Sequence, residues 1–157
     1  MTSRRTNSSL TGALDAVHRE RTVAEVRNLA LARRLLTDIG SGAEPQQIAL
    51  LFKRDARCEV PGDVGALPWI GHRTGRDAVA DFMGGLRKHT DAISFEVDDV
   101  LASERGAVII GELASRIRAT DKVVETAFAI VLTISGGLIE RFQMLEDSFA
   151  VSLAACS

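Results

Sequence analysis

Apolar residues change their spacing once along this chain, near residue 90. Before that point they recur at helical intervals, as at Val26, Leu29 and Leu36, with charged residues on the other faces. Beyond it, residues 93–101 alternate apolar and polar side chains, which is the period of a half-buried strand. The pattern therefore predicts helices in the first half of the chain and strands in the second.

Local signals set the limits of these elements. Thr22-Val23-Ala24-Glu25 has the composition of a capping box and predicts the start of the first helix, and Gly40-Ser41-Gly42 predicts its end. Pro45 suits the first position of a short second helix. The second and third helices are predicted over residues 45–52 and 76–89, and the strands over residues 57–60, 93–101, 107–118, 123–134 and 138–151.

Short turns separate the four long predicted strands, so consecutive strands are expected to be antiparallel neighbours. Helices followed by such a meander predict an α+β fold, a cone-shaped, curved and mostly antiparallel sheet wrapped around the N-terminal helices. Residues 1–9 are predicted to be a disordered tail, and residues 10–157 a single domain.

One predicted loop shows neither the helical nor the strand spacing of apolar residues. Residues 59–76, EVPGDVGALPWIGHRTGR, contain the chain's only tryptophan, Trp69, beside Leu67, Pro68 and Ile70. Loops are usually polar and lie on the surface, so an apolar loop needs something to cover. We expect this loop to line or cover the open end of the cone. The alternative is that the indole ring plugs the core.

Composition excludes several classes of function. A net charge of −2 with mixed signs gives no basic face for nucleic acid, and no apolar run is long enough to cross a membrane. Cys58 and Cys156 are few and far apart, as expected for free thiols in a cytoplasmic protein. His18, His72 and His89 share no metal-ligand spacing, and no phosphate-binding glycine loop is present, so no metal or cofactor is expected.

Three motifs point to a known family. Pro61-Gly62 follows the first predicted strand, Gly75-Arg76-Asp77-Ala78-Val79 opens the third helix, and Gly137-Leu138-Ile139 leads to Asp147. Together they resemble the nuclear transport factor two-like superfamily, in the branch of SnoaL-like polyketide cyclases and ketosteroid isomerase relatives. The resemblance covers about residues 22–151 and implies the same cone.

The resemblance also implies a catalytic carboxylate. SnoaL-like cyclases use a last-strand aspartate as the general acid/base beside a carbonyl, and Asp147 matches that position, with Gln143 and Leu145 on the same strand face. Apolar walls around such a group raise its pKa toward the range useful for proton transfer. Glu59, two residues before Pro61, and His72, in the tryptophan loop, are the other catalytic candidates.

Further residues are candidates for ligand contact together with the loop tryptophan. Val60 matches the position at which ketosteroid isomerase relatives carry their aspartate base, and Phe82 lies on the apolar side of the third helix. Glu112 interrupts an apolar strand, which makes it a pocket candidate. The alternative for Glu112 is a cross-strand pair with Arg116 or Arg141.

The family's catalytic sets are incomplete in this chain, which leaves two functions open. There is no tyrosine, and the strand over residues 123–134 has no histidine. Limonene epoxide hydrolase needs an arginine and an aspartate two residues apart on the strand over residues 107–118, where this chain has Glu112-Leu113-Ala114 with Arg116 and Arg118 further on. The first function is that of a cofactor-independent lyase, isomerase or cyclase acting on a small apolar or polyketide-like molecule. The second is that of a non-catalytic ligand-binding or dimerisation module.

A homodimer is also expected. The outer face of a curved sheet is expected to keep apolar residues, such as Ile130 or Phe142, that a monomer would expose. No nucleic acid or membrane partner is expected.

Overall fold

The computed structural model describes residues 20–157. The tail predicted over residues 1–9, and the predicted start of the domain at residue 10, lie outside the described residues. Four helices and six strands make up the described part of the chain. They are α1 (Val23–Gly40), α2 (Pro45–Ala49), β1 (Phe52–Val60), β2 (Gly71–Thr74), α3 (Arg76–His89), β3 (Thr90–Ser103), β4 (Gly106–Ile117), β5 (Lys122–Ser135), β6 (Leu138–Glu146) and α4 (Ser148–Ala155).

The strands form one curved sheet in the order β2-β1-β6-β5-β4-β3. Strands β3 to β6 are consecutive antiparallel neighbours, as the short turns predict, and β1 joins β6 in parallel. The predicted α+β class, with helices against one face of a mostly antiparallel sheet, is confirmed. Residues 20–157 form this cone.

The start signals of the helices act as predicted. The Thr22 hydroxyl accepts from the Glu25 backbone and the Glu25 carboxylate accepts from the Thr22 backbone, a capping box that satisfies two otherwise unpaired donors. Pro45 occupies the first turn of α2. At α3, Gly75 adopts φ 106°, and the Arg76 guanidinium donates to the Phe52 carbonyl at 2.7 Å. This bond ties the start of α3 to the start of β1.

Side chains alternate between two faces of the sheet. We call the face covered by the helices the inner face and the opposite one the outer face. The rings of Phe52 and Phe82 both pack on Phe142, with centroids 6.2 and 5.8 Å away. Ile130 and Phe142 are 3% and 2% exposed and belong to this core, so the expectation that they lie on the outer face is wrong. Even-numbered residues of β5, and Phe142 and Met144 of β6, point inward, which reverses that assignment.

The structure contains one strand that was not predicted, and several predicted boundaries are wrong. The segment predicted to be only loop contains β2, which pairs with β1 through Cys58 to Arg73 and Val60 to Gly71. Helix α2 ends at Ala49, and β1 begins earlier than predicted, at Phe52. The last strand ends at Glu146 instead of running to residue 151, because the next residues form α4. This last difference moves the candidate catalytic position.

Candidate functional site

The open end of the cone holds an apolar cavity of about 60 Å³. The sheet contributes its inner face, α3 and α4 contribute one side each, and the tryptophan loop closes part of the rim. Its lining is mostly aliphatic and aromatic. The lining residues are Val60, Pro61, Gly62, Leu67, Trp69, Ile70, Phe82, Leu86, Thr90, Leu113, Ser115, Ile117, Val124, Met144, Glu146, Ser148 and Val151.

Glu146, the last residue of β6, supplies the one ionisable side chain among these lining residues. It lies across the ladder from Phe128 and on the same inner face as Met144. Burial raises the pKa of the Glu146 carboxyl, and the negative charge of neighbouring Asp147 raises it further. A carboxyl group with a raised pKa holds its proton more readily than an exposed glutamate, which suits it to general acid–base chemistry.

Asp147, the predicted acid/base, is placed elsewhere. It is exposed and absent from the cavity lining. Its carboxylate accepts from the Ala150 backbone at 2.9 Å and so caps α4, while its own backbone N–H donates to the Thr126 hydroxyl. The predicted cavity position is therefore wrong by one residue, and one residue along a strand changes the face. Gln143 and Leu145, predicted to share its face, also point outward, and Leu145 is 41% exposed.

Trp69 lies on the cavity wall, where its loop was predicted to be. Its ring stacks on His89 at the end of α3, with centroids 4.4 Å apart and planes within 4°. Gly85 leaves room for the indole, because a Cβ there would lie 2.4 Å from the Trp69 Cβ. The loop is thus held against α3 by a glycine on one turn and a histidine on the next.

Three hydroxyl groups complete the polar part of the cavity. Thr90 donates to the Leu86 carbonyl at 2.7 Å, so its proton is already used. The side-chain hydroxyls of Ser115 on β4 and Ser148 on α4 make no hydrogen bond within residues 20–157. These two hydroxyls are therefore the neutral donors available to a ligand beside Glu146.

Glu59 and His72 come together, but on the outer face. They are directly paired between β1 and β2, and Glu59 accepts from the Arg141 guanidinium at 2.9 Å. This hydrogen bond lowers the pKa of the Glu59 carboxyl, so the group stays ionised. Val60, the next residue, is the one that lines the cavity. The prediction that Glu59 and His72 lie in the pocket is wrong because of the two-residue period of β1 and β2.

The structure also separates the remaining candidates. Phe82 lines the cavity, as predicted. Glu112 does not: it is exposed on the outer face of β4, opposite Glu96 on β3 and Ala127 on β5. Sequence reasoning missed Glu146, Ser115 and Ser148. The signal that would have found Glu146 is an aspartate followed by an apolar run, which marks Asp147 as a helix N-cap and ends the strand one residue earlier.

The described residues were also compared with the requirements of metal sites, reactive thiols and membrane-spanning helices. Residues 20–157 contain no group of three or more His, Cys, Asp or Glu side chains arranged to hold a metal ion. Both cysteines are free, and burial raises the pKa of the Cys58 thiol to about 11, so this thiol stays protonated at neutral pH. Within the same range, no helix is both long and apolar enough to span a bilayer.

Comparison with known proteins agrees with this geometry. The family model described as SnoaL-like domain matches residues 32–142. An NTF2-like protein from Burkholderia xenovorans LB400 is 16% identical, with a TM-score of 0.75 over 84% of this chain and 98% of that one. A search of curated proteins finds no match to the sequence.

Two further solved structures carry names that mention an activity. An isomerase candidate from Rhodopseudomonas palustris is 15% identical, with a TM-score of 0.67 over 87% of this chain and 98% of that one. A SnoaL-like polyketide cyclase candidate from Jannaschia sp. CCS1 is 14% identical, with a TM-score of 0.70 over 89% of this chain and 100% of that one. At such identities these structures show the shared fold.

Proposed function

Because the chain belongs to the SnoaL-like domain family, we propose that it is a small-molecule enzyme of the cofactor-independent isomerase, cyclase or lyase type, with Glu146 as the general acid/base. One observation carries the proposal: the cavity lining holds a single ionisable group, a carboxyl whose pKa is raised by burial. Glu146 takes the role that the sequence alone assigned to Asp147.

The proposed chemistry is proton transfer at the carbon beside a carbonyl. The Glu146 carboxylate removes the proton, the electrons of the C–H bond move toward the carbonyl oxygen, and the same carboxyl group then returns the proton at that carbon or at a conjugated one. The Ser115 and Ser148 hydroxyls are the donors for the charge that develops on oxygen. The apolar wall keeps water away and keeps the carboxylate basic.

The size of the cavity favours a small substrate. A cavity of about 60 Å³ is smaller than the roughly 150 Å³ cavity that admits benzene in an engineered protein. A multi-ring polyketide skeleton would enter only if the lining side chains moved apart. We therefore propose that the substrate is a small, mostly apolar carbonyl compound. A polyketide-like substrate fits this proposal only if its reacting end alone enters the cavity.

The second candidate function is non-catalytic binding of a small molecule in the same cavity. It is favoured by the absence of tyrosine from the sequence and of histidine from β5. Both residue types serve catalysis in the family relatives considered above. The two candidates differ in one measurable property, which is whether bound carbonyl compounds exchange protons.

Deuterium exchange tests the proposal. Ketones of three or four carbons are incubated with the protein in D2O, and loss of the proton beside the carbonyl is followed by ¹H NMR. Wild-type protein and the control Glu140→Gln should accelerate exchange, since Glu140 lies on the same strand outside the cavity and pairs with Lys53 at 3.6 Å. Ketones that bind without accelerated exchange would contradict the acid–base proposal and favour the binding module.

We also propose a cytoplasmic homodimer that packs through the outer face. Its centre is apolar and comprises Leu101, Val108, Ile110, Ala129, Val131 and Leu145. Glu96, Glu112 and Glu125 flank one side of this centre, and Arg57 flanks the other, beside Arg141, whose charge is balanced by Glu59. A two-fold axis lying in the interface brings the acidic side of one copy over the basic side of its partner, so the face is complementary to itself.

Replacing Val131 with arginine is expected to convert the dimer to a monomer. The side chain lies in the middle of the outer face, between Val108 on β4 and Gln143 on β6, and a charge there loses its water on association. Sedimentation at micromolar concentration should show a wild-type dimer and a folded V131R monomer. A wild-type monomer at that concentration would contradict the proposal.

A further inference from the structure

The cavity has an unbalanced charge. Its lining includes one carboxyl group, that of Glu146, and no lysine, arginine or histidine. Within residues 20–157 the Glu146 side chain makes no hydrogen bond or ion pair. Elsewhere the same sheet does pair a buried carboxylate, since Glu59 is 8% exposed and is held by Arg141. Because residues 20–157 supply no counter-charge for Glu146, a proton or a cationic ligand can provide it.

We propose that the cavity binds a small organic cation, an amine with an apolar body, whose ammonium group pairs with Glu146. The inference rests on the proposed function and names the charge of its substrate class. A cation entering this site supplies the missing counter-charge in surroundings of low dielectric constant, where the attraction is stronger than in water. The aliphatic lining receives the apolar body of the ligand.

Two further features favour positive charge. The rings of Trp69 and Phe82 line the cavity, and the faces of such rings attract cations. Asp147, the residue after Glu146, adds a second negative charge close to the site. The one titratable group against the aromatic wall is His89, which stacks on Trp69 outside the lining, and α3, β4, β5 and α4 bring no charged side chain into it. An anion would gain nothing there and would be repelled.

An amine is also compatible with proton transfer. In an α-amino carbonyl compound, the carbon that carries the acidic proton also carries the nitrogen. The carboxylate that pairs with the ammonium group is therefore close to the proton that it would remove. Anionic substrates, such as carboxylates and phosphates, are excluded by the same charge balance.

Three probes of four heavy atoms each test this inference: isopropylamine, propan-2-ol and acetate, which differ in charge. Trp69 is the only tryptophan, so its fluorescence reports cavity binding directly, and thermal shift provides a second readout. The amine should bind roughly tenfold more tightly than the alcohol, or better, and acetate should bind more weakly than both. Glu146→Gln should remove the preference for the amine, and Glu140→Gln should keep it.

The pH dependence of amine binding provides a second test. Pairing requires an ionised Glu146, so amine affinity should rise with pH up to the raised pKa of that carboxyl and then level off. Equal or tighter binding of the alcohol, an amine preference retained by E146Q, or no amine binding at millimolar concentration would each overturn the inference. The proposed function fails separately, by the absence of ketone proton exchange in the wild-type protein.

Discussion

The variant Glu146→Gln is expected to slow proton exchange of a bound substrate by roughly 100-fold to 10,000-fold, the usual contribution of a positioned general base. Glutamine keeps the shape and polarity of the side chain and removes its proton chemistry. The same variant is expected to be more stable than the wild type at neutral pH, because a carboxylate without a partner no longer has to ionise in an apolar cavity.

The sign of the stability effect follows from the direction in which the pKa moves. The pKa of Glu146 is raised in the folded protein, so the protonated form favours the fold at low pH. As pH rises through that pKa, the buried group ionises and the wild type loses stability, by about 1.4 kcal/mol for each pH unit that separates the folded pKa from the unfolded one. Melting temperatures should therefore agree for the two proteins near about pH 4 and diverge in favour of E146Q by about pH 8.

Asp147→Asn separates the two neighbouring acids. This variant removes the exposed charge that raises the pKa of Glu146, so the pH profile of exchange should move to lower pH while the exchange itself persists. It also weakens the cap of α4, and asparagine restores most of that cap. Loss of exchange in D147N together with normal exchange in E146Q would return the catalytic role to Asp147.

Gly85→Ala is expected to displace the tryptophan loop. The added Cβ would lie 2.4 Å from the Trp69 Cβ and 2.6 Å from its Cγ, and neither atom is the end of a flexible chain. Overpacking of this kind costs about 1–3 kcal/mol, more than the roughly 1 kcal/mol that alanine gains over glycine in a helix. Lower unfolding free energy and altered tryptophan fluorescence should appear together, because both depend on the same contact.

Gly84 provides the matched control on the same helix. No atom lies within 4 Å of a Cβ added at Gly84, so alanine there should raise stability by up to about 1 kcal/mol and leave the fluorescence unchanged. Chemical denaturation of both variants gives the comparison. If G85A were as stable as G84A, the close packing of Trp69 on α3 would be refuted.

The fold was predictable because many independent signals agreed. The Thr22 to Glu25 capping box, Pro45 in α2 and the helix over residues 76–89 all occur where local chemistry places them. The meander followed from short turns between alternating segments. The strand β2 was missed because it has only four residues and lies among glycines and prolines that hide its period.

The site was only partly predictable, since a site depends on which face of a strand points inward. In β6 both Met144 and Leu145 are apolar, so alternation could not separate the inner face from the outer one. In β1, by contrast, Ala56, Cys58 and Val60 mark the inner face and place Glu59 outside. Strand β6 ends at Glu146 because Asp147 is the N-cap of α4. The end of the strand could therefore be predicted only together with the start of that helix.

The central claim is that the Glu146 carboxyl lies inside an apolar cavity that Trp69 also lines. A ¹³C NMR titration of the glutamate side-chain carboxyls, with Glu146 assigned by its loss in E146Q, tests this most directly. The account predicts one glutamate that titrates above the ordinary range and whose titration moves when a ligand enters the cavity. A Glu146 signal that titrates like an exposed glutamate and ignores every cavity ligand would contradict it.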